Sequence, residues 1–248
     1  MCVITINKNK KLKESDIKKI WSHNPDGAGI AYYDAKGNLL YKKGLMTLND
    51  FLETYNKIPL PHICHFRLAS VGGVSPLLTH PFAIYETNQT EGKAKALLVH
   101  NGHFSNYETL YFFLLSRGVN FGENGVSDSF VLAKALSLLP AHKMQNFIEN
   151  VNNNSKIVVA FNKYKIMKFG NFESKGGIEY SNLYWSYNYY KFNKTTNSIG
   201  FNPIKDYKFN YQFNYEPDDD TEDNTDYKLE TENYIPYRYR QNRIGFDI

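Results

Sequence analysis

The spacing of apolar residues along the chain is the feature that most constrains its fold. Apolar and β-branched residues alternate near the N-terminus, over Cys2–Asn7, and again far along the chain, over Lys156–Phe161. Alternation of this kind predicts strands that are buried on one face. Helical segments come in pairs between the predicted strands, which favours an α+β fold with largely antiparallel sheets over a parallel βαβ fold.

Cap and turn residues divide the chain into further elements. Thr47 precedes Asp50 by three residues, a spacing that resembles a capping box at the start of a helix. Ser127 or Asp128 is expected to cap a later helix. The predicted strands are 2–7, 28–34, 39–43, 62–69, 95–100, 156–161, 165–169 and 177–180, and the predicted helices are 15–23, 48–56, 106–117, 129–139 and 141–151.

The composition is that of a globular protein. Of the 248 residues 42% are hydrophobic, and 17 Phe and 20 Tyr provide ample material for a core. The formal net charge is only +4, which gives no overall electrostatic reason for nucleic-acid binding. The basic clusters at 8–13 and 237–243 are therefore interpreted as solvated surface.

Cysteine content and hydropathy indicate the expected compartment. Two cysteines do not form a disulfide framework in a chain of this length, and no basic and apolar leader is apparent. The longest apolar run, Leu110–Leu115, is far shorter than the ~20 residues that span a bilayer. A cytoplasmic protein without a membrane segment is expected.

The character of the sequence changes beyond about residue 190. Residues 191–248 are rich in Asn, Tyr and Lys, include the acidic run Asp218–Asp226 and show no sustained periodicity. We therefore predict one domain over 1–190 and a largely irregular extension over 191–248.

Cys2 is a candidate nucleophile because of its position. If Met1 is removed, Cys2 carries both a thiol and a free α-amine, with ordinary pKa values of ~8.5 and ~8. The amine could then accept the thiol proton, and no histidine would be needed. For a cysteine taken alone, the alternative is a small apolar residue that opens a buried strand.

Four short stretches stand out together in the sequence. They are Met1-Cys2, His65-Phe66-Arg67-Leu68-Ala69-Ser70, His100-Asn101-Gly102-His103 and Ser127-Asp128-Ser129. They occur with Asn24-Pro25-Asp26-Gly27-Ala28-Gly29, His80-Pro81-Phe82 and the closing stretch Tyr180-Ser181-Asn182. Over roughly residues 1–190 the combination resembles the class II glutamine amidotransferases, which are N-terminal-nucleophile (Ntn) hydrolases.

The resemblance implies both a fold and a site. The fold is a four-layer αββα sandwich of two mainly antiparallel sheets flanked by helices. Cys2 would attack the side-chain amide of glutamine and form a γ-glutamyl thioester. The Asn101 side chain and the Gly102 backbone N–H would hold the oxyanion, where one donor is typically worth ~3 kcal/mol. Arg67 would bind the substrate α-carboxylate through its planar guanidinium, and Asp128 would accept from the α-ammonium.

The histidines and the second cysteine are interpreted as structural. A thiol served by its own amine needs no imidazole, so His65, His100 and His103 are expected to orient the strand ends or line the pocket. Their spacing matches no zinc motif, and neither a metal nor a cofactor is predicted. Cys64 alternates with His65 and is expected in the core, and the loop Ala69–Pro76 is a candidate lid over the substrate.

The sequence leaves several functions open. Known amidotransferases usually carry a synthetase domain, whereas residues 191–248 contain no phosphate-binding loop or nucleotide motif. A separate synthetase subunit would then use the ammonia, or the domain would work alone as a hydrolase. The alternatives are a hydrolase of another γ-glutamyl amide and a non-catalytic, glutamine-binding regulatory subunit. Nucleic-acid binding through the Tyr-rich tail is disfavoured because no stacking platform is recognisable.

Overall fold

The computed structural model describes residues 2–122, 125–152 and 154–183. All of these residues lie within one compact unit of the chain. The irregular extension predicted over 191–248 lies outside the described residues, as does Met1.

Strands and helices follow one another in groups along the described chain. The strands are β1 (Val3–Asn7), β2 (Ala28–Tyr33), β3 (Leu39–Leu45), β4 (His62–Phe66), β5 (Phe82–Ala83), β6 (Glu91–Ala94), β7 (Ala96–Asn101), β8 (Lys156–Phe161), β9 (Ile166–Phe169), β10 (Glu173–Lys175) and β11 (Ile178–Tyr180). The helices are α1 (Glu14–His23), α2 (Leu48–Lys57), α3 (Tyr107–Ser116), α4 (Asp128–Ser137) and α5 (Ala141–Val151). Among the described helices, none combines the length and the apolarity needed to cross a bilayer.

Within the described residues the strands form two antiparallel sheets. The larger sheet has seven strands in the order β10-β11-β1-β4-β2-β3-β6, and the smaller has four in the order β5-β7-β8-β9. Every pair of neighbouring strands is antiparallel. The sheets therefore need none of the long crossovers that parallel strands require.

Helices α1 and α2 cover the outer face of the larger sheet, where alternate side chains of its strands are apolar. Ile17 and Ile20 of α1 and Phe51 of α2 pack against this face in one apolar cluster. Cys64 and Phe66 of β4 belong to the same cluster, and Cys64 is fully buried. The prediction that Cys64 is a core residue is confirmed.

The inner face of the larger sheet packs on the smaller sheet. Ile4 and Ile63 from the larger sheet meet Leu97, Val99 and Val158 from the smaller one. Helices α3, α4 and α5 cover the remaining face of the smaller sheet in a third apolar cluster. The order of layers is helix, sheet, sheet, helix, which confirms the predicted αββα sandwich.

Three short strands, β5, β6 and β10, were not predicted from the sequence. They contain two, four and three residues respectively, which is too short to display a period. All three lie at the edges of their sheets, where a strand pairs on one side only. Strand β4 also ends at Phe66, earlier than the predicted end at residue 69. Beyond it the Arg67 backbone bonds to the turn at Asp26 and Gly27, and the Leu68 N–H donates to the Cys2 thiol instead of to a strand.

Caps at the helix starts agree in part with the sequence. Thr47 caps α2, since its hydroxyl accepts the Asp50 N–H at 3.1 Å as predicted. Ser127 caps α4, since its hydroxyl accepts the Phe130 N–H at 3.2 Å. Asp128 is therefore the first residue of that helix, and its carboxylate is not the cap.

Burial of His62 predicts that the stability of the fold depends on pH. His62 is 1% exposed, and its Nδ1 donates to the Pro59 carbonyl oxygen at 3.0 Å. Burial lowers the pKa of His62 to about 4, whereas the unfolded chain has the ordinary value of ~6.5. Below pH ~6.5 the unfolded state thus binds a proton that the folded state does not, so the free energy of unfolding falls as the pH drops from ~6.5 toward ~4.

We therefore expect His62→Phe to weaken this pH dependence. The slope of unfolding free energy against pH should fall by up to about 1.4 kcal/mol per pH unit in that window, as measured by chemical denaturation. His142 is exposed on α5, and His142→Phe is the matched control that should leave the slope unchanged. An equal slope in wild type and His62→Phe would contradict the prediction.

Candidate active site

Antiparallel pairing brings Cys2 beside the end of β4. Val3 lies opposite Phe66 in the β1–β4 pair, and the same register continued by one residue places Cys2 opposite Arg67. Cys2 alternates in phase with Ile4, which faces the layer between the sheets. The thiol therefore lies at one end of the space between the two sheets.

The Cys2 thiol contacts the backbone just after β4. The Leu68 N–H donates to Sγ at 3.3 Å, and Sγ lies 3.5 Å from the Leu68 carbonyl oxygen. Burial raises the pKa of the Cys2 thiol, and the Leu68 hydrogen bond and the Arg67 charge only partly oppose this shift. The thiol is therefore protonated near neutral pH, and attack on a substrate requires a base.

Arg67 is a buried cation, and one of its two terminal guanidinium nitrogens lacks a hydrogen-bond partner among the described residues. It is 3% exposed, and its Nη2 donates to the Val71 carbonyl oxygen at 3.0 Å. Its Nη1 is buried and has no hydrogen-bond partner among the described residues. Burial lowers the pKa of Arg67, while Cys2, Asp26 and Asp128 act to raise it. A buried N–H without a hydrogen-bond partner costs free energy, so Arg67 Nη1 is suited to bind an anionic group of a ligand.

The turn at Asp26 and Gly27 holds the backbone on both sides of Arg67. The Arg67 N–H donates to the Gly27 carbonyl oxygen at 2.8 Å, and the Asp26 N–H donates to the Arg67 carbonyl oxygen at 3.1 Å. Asp26 Oδ2 accepts the Ala69 N–H at 2.7 Å. The turn thus determines the path of the chain where it meets the Cys2 thiol.

Asn101 reaches the same region from the smaller sheet. Leu97 and Val99 of β7 face the layer between the sheets, so alternation places Asn101, the last residue of β7, on that face. Asn101 is 3% exposed, and its Nδ2 donates to Ser181 Oγ at 2.7 Å. The amide nitrogen carries a second N–H that this bond does not use.

Gly102 follows Asn101 in the chain. A glycine is required at this position because the backbone there packs closely against Ser155. A Cβ placed on Gly102 would lie 2.0 Å from Ser155 Oγ and 2.4 Å from Ser155 Cβ. No side chain can occupy that position without moving the neighbouring segment. The Asn101-Gly102 pair is therefore a point of tight packing between the end of β7 and the chain leading into β8.

Asp128 is a buried carboxylate held in a defined orientation. It is 5% exposed, and its Oδ2 accepts the Phe104 N–H at 3.0 Å. Its Oδ1 accepts the Ser129 N–H at 2.7 Å and the Ser129 hydroxyl at 3.2 Å. A carboxylate oxygen can accept two hydrogen bonds, so Oδ2 retains capacity for a further donor.

The histidines lie beside the residues predicted to form the site. His65 Nε2 donates to the His100 carbonyl oxygen at 3.2 Å, and His100 Nδ1 lies 2.9 Å from Ser129 Oγ. His103 Nδ1 lies 3.8 Å from Asp128 Oδ2. Burial lowers the pKa of His65 to about 3, so its ring is neutral at physiological pH. Over the described part of the chain, no group of three or more His, Cys, Asp or Glu side chains is arranged to hold a metal ion.

The structure brings the predicted site residues together at one end of the layer between the sheets. Arg67 lies opposite Cys2 when the β1–β4 register is continued by one residue, and the Arg67 and Asp128 charges both influence the pKa of the Cys2 thiol. Asn101, with Gly102 next to it in the chain, is connected to β1 through Ser181. Residues from both sheets and from the start of α4 therefore contribute to this end of the domain.

Two polar residues after β11 belong to the same region and were not assigned from the sequence. Ser181 Oγ accepts the Ile4 N–H at 2.9 Å as well as the Asn101 amide, and Asn182 Nδ2 donates to the Cys2 carbonyl oxygen at 2.8 Å. The only sequence signal for them was a Ser-Asn pair directly after a predicted strand. The sequence analysis noted this pair as part of a closing stretch and assigned it no role in the site.

Comparison with known proteins gives one curated relative. No family model matches the chain. The chain is 28% identical over 143 residues to glutamine–fructose-6-phosphate aminotransferase (isomerizing) of Buchnera aphidicola subsp. Acyrthosiphon pisum (strain APS). The match covers 56% of this chain and 22% of that protein, so the chain spans about a fifth of the length of this relative.

Solved structures share the fold. Glutamine phosphoribosylpyrophosphate amidotransferase from B. subtilis, complexed with ADP and GMP, superposes with a TM-score of 0.56 at 15% identity over 74% of this chain and 42% of that one. The allosteric regulatory enzyme of purine biosynthesis superposes with a TM-score of 0.52 at 16% identity over 73% of this chain and 41% of that one. At such low identity these likenesses establish the architecture.

Fold and sequence similarity point to the same kind of domain. Two facing antiparallel sheets between helical layers give the chain the architecture of the Ntn hydrolases, and Cys2 directly precedes its first strand. Over 143 residues the region is similar to a glutamine–fructose-6-phosphate aminotransferase, and its fold is shared with a glutamine phosphoribosylpyrophosphate amidotransferase, so it resembles the class II glutamine amidotransferase domains. The resemblance noted in the sequence is confirmed at this level.

Proposed function

We propose that this domain hydrolyses the side-chain amide of glutamine to glutamate and ammonia through a thioester on Cys2. The buried Arg67 guanidinium is the observation that carries the proposal: its Nη1 has no partner among the described residues, and Arg67 lies opposite Cys2 when the β1–β4 register is continued by one residue. An amino acid can place its α-carboxylate on this cation while its side chain reaches the thiol. One relative is named a glutamine aminotransferase and one structural neighbour a glutamine amidotransferase, which supports glutamine as the amino acid.

Removal of Met1 supplies the base in this mechanism. While Met1 is attached, the Cys2 nitrogen is part of an amide and cannot accept a proton. Once Met1 is removed, the α-amine takes the thiol proton, which compensates for the raised pKa of the Cys2 thiol.

Bond making and breaking then balance in two steps. Sγ bonds to the amide carbon of glutamine, the carbon–nitrogen bond breaks, and the protonated amine returns its proton to the departing ammonia. Water next attacks the thioester, the carbon–sulfur bond breaks, and glutamate leaves while the thiol regains a proton. The sum is glutamine and water converted to glutamate and ammonia.

Asn101 and Gly102 are assigned to the oxyanion. As Sγ attacks, negative charge develops on the amide oxygen of the substrate. The second Asn101 N–H and the Gly102 backbone N–H would donate to this oxygen, each worth ~3 kcal/mol in the transition state. Gly102 is exposed and carries no side chain, so a substrate can approach its backbone closely.

Arg67 and Asp128 are assigned to the two charges of the amino acid. The free Nη1 of Arg67 would bind the α-carboxylate, and the spare acceptor capacity of Asp128 Oδ2 would take the α-ammonium. A cation and an anion in the same buried site select a zwitterion over a simple amide.

We further infer that the ammonia acceptor is a separate enzyme. The proposal is supported by residues 191–248, in which no phosphate-binding loop and no nucleotide motif is recognisable. Glutamine and a separate acceptor enzyme are therefore the proposed partners.

The direct test compares two forms of the purified protein. Intact-mass measurement separates chains that keep Met1 from chains that begin at Cys2. The form beginning at Cys2 is expected to release ammonia and glutamate in equal amounts from glutamine, and the form that keeps Met1 is expected to be inactive. Equal activity in both forms would overturn the amine-assisted mechanism, and no ammonia from either would overturn the proposed function.

A panel of γ-glutamyl amides extends this test to the remaining alternatives. Glutamine is expected to have the highest kcat/KM, with a γ-glutamyl adduct on Cys2 detectable by mass spectrometry after rapid denaturation. A larger kcat/KM for another γ-glutamyl amide would assign the domain to that substrate. Binding of glutamine without turnover, in protein that begins at Cys2, would identify a regulatory subunit.

A further inference from the structure

We propose that Ser181 is a positioning residue that holds the Asn101 side-chain amide in the orientation needed to stabilise the oxyanion. The inference rests on the proposed function, because it assigns a task within the same site. Ser181 lies directly after β11, far from Asn101 in the sequence, and it does not bind the substrate in the mechanism above.

The contact between the two side chains is short and buried. Asn101 Nδ2 donates to Ser181 Oγ at 2.7 Å, and the residues are 3% exposed in both cases. Water therefore has little access to compete for the amide. Ser181 is itself held, because its Oγ accepts the Ile4 N–H at 2.9 Å and its own N–H donates to the Ile4 carbonyl oxygen at 2.9 Å.

The geometry of an amide explains what this anchor does. The last torsion of an asparagine side chain is broad, so an unanchored amide samples many orientations. A bond to one N–H fixes the plane of the amide, and the second N–H then has one direction in that plane. A donor that is oriented before the reaction needs no reorganisation when charge develops on the substrate oxygen.

The same segment also fixes the nucleophile relative to this donor. Asn182 Nδ2 donates to the Cys2 carbonyl oxygen at 2.8 Å, one residue along from the Ser181 contact. Asn101 belongs to the smaller sheet and Cys2 leads into the larger one. Ser181 and Asn182 therefore connect the oxyanion donor of one sheet to the nucleophile of the other.

Ser181→Ala tests this role through the split between kcat and KM. The variant is expected to lower kcat about 10- to 100-fold, since loss of a whole oxyanion donor costs about 10²- to 10³-fold. KM for glutamine should stay within about two-fold of wild type, because the oxyanion forms only in the transition state. Ser181→Thr keeps the hydroxyl and should recover most of kcat.

Thr5→Val is the matched control for loss of a buried hydroxyl. Thr5 is fully buried in β1, and its hydroxyl donates to Asn7 Oδ1 at 2.8 Å. This variant is expected to lower the melting temperature without changing kcat by more than about two-fold. If Thr5→Val and Ser181→Ala lower kcat equally, the effect is general destabilisation and the proposal fails.

A double-mutant cycle separates positioning from any independent effect. If Ser181 acts through Asn101, Ser181→Ala should cost less than about 3-fold in kcat when Asn101 is already alanine. An equal loss in both backgrounds would overturn the proposal.

Hydrogen exchange of the Asn101 side-chain amide provides a readout that needs no turnover. Its signals are identified by their disappearance in Asn101→Ala, and they are expected to exchange at least about 10-fold faster in Ser181→Ala than in wild type. Unchanged exchange would overturn the anchoring contact. A wild-type protein that shows the protected amide but releases no ammonia would instead support the contact and overturn the proposed function.

Discussion

Replacement of Cys2 by alanine is expected to abolish ammonia release from glutamine, with a loss in kcat of about 10⁴-fold or more. The thiol is the only proposed group that forms a covalent bond to the substrate. The remaining donors can stabilise an oxyanion only after a nucleophile has attacked. The measurement is ammonia release by purified protein whose N-terminus has been established by intact mass.

The other cysteine of the chain provides a matched control. Cys64 is fully buried on the outer face of the larger sheet, among residues that pack under α1 and α2. Cys64→Ala should therefore change stability and leave kcat within about two-fold of wild type. A Cys2→Ala protein that retains a tenth or more of wild-type turnover (about 10-fold loss or less) would overturn the thioester mechanism.

Binding by the inactive variant shows whether the site is intact. Cys2→Ala keeps Arg67 and Asp128, so it should still bind glutamine. Calorimetry is expected to give a Kd within about 10-fold of the wild-type KM. Loss of both binding and turnover would indicate a disturbed site, and the effect could not then be assigned to the nucleophile.

Substitution of Arg67 is expected to have the second-largest effect, and it should act on recognition. Arg67→Gln keeps a hydrogen-bonding side chain but removes a buried charge that the proposed mechanism pairs with the substrate α-carboxylate. Removing one partner of a buried charge pair typically costs about 3–5 kcal/mol, so kcat/KM for glutamine should fall by about 10²- to 10⁴-fold. Most of the loss is expected in KM, because the α-carboxylate is bound in the ground state as well as in the transition state.

A substrate without the carboxylate makes this prediction specific. 4-Aminobutanamide is glutamine without its α-carboxylate. Wild type should prefer glutamine over this amide by about 10²-fold or more, and Arg67→Gln should reduce that preference to about 10-fold or less. An unchanged preference would show that Arg67 does not bind the carboxylate.

Arg117 offers a control for loss of an arginine. It is exposed at the end of α3, where its guanidinium lies over the Phe113 ring at 5.3 Å. Arg117→Gln is expected to leave both the kinetic constants and the substrate preference unchanged. Arg67→Lys adds a second comparison, since a lysine keeps the charge but cannot make the bidentate contact.

Much of the architecture was predictable because it depends on local pattern. Alternation identified β1, β7 and β8, and the helical segments between them indicated sheets covered by helices. Edge strands such as β6 were missed because they are short and pair on one side only. The predicted end of β4 lay too far along the chain. The Arg67 backbone bonds to the turn around Asp26, which is distant in the sequence and therefore could not be recognised from the residues near β4.

The candidate site was predictable only as a set of residue types. Cys2, Arg67 and Asn101 each stand at the end of a strand, and their order along the chain indicated a pocket for a zwitterionic amide. Ser181 carried no comparable signal, since a serine after a strand is common. Its contact with Asn101 exists because β11 pairs beside β1, and this pairing joins residues that are 80 positions apart.

The sequence by itself indicated an α+β fold with largely antiparallel sheets, because side-chain period is a property of short stretches. The four-layer order and the proposed reacting groups came from the family resemblance of its motifs. Three features of the site were decided only by the tertiary structure. Arg67 Nη1 has no hydrogen-bond partner among the described residues, Gly102 has no room for a side chain, and Ser127 rather than Asp128 caps α4. These features depend on the register between strands and on contacts across two sheets. Such long-range pairings follow from the packing of the whole domain, which no short stretch of the chain contains.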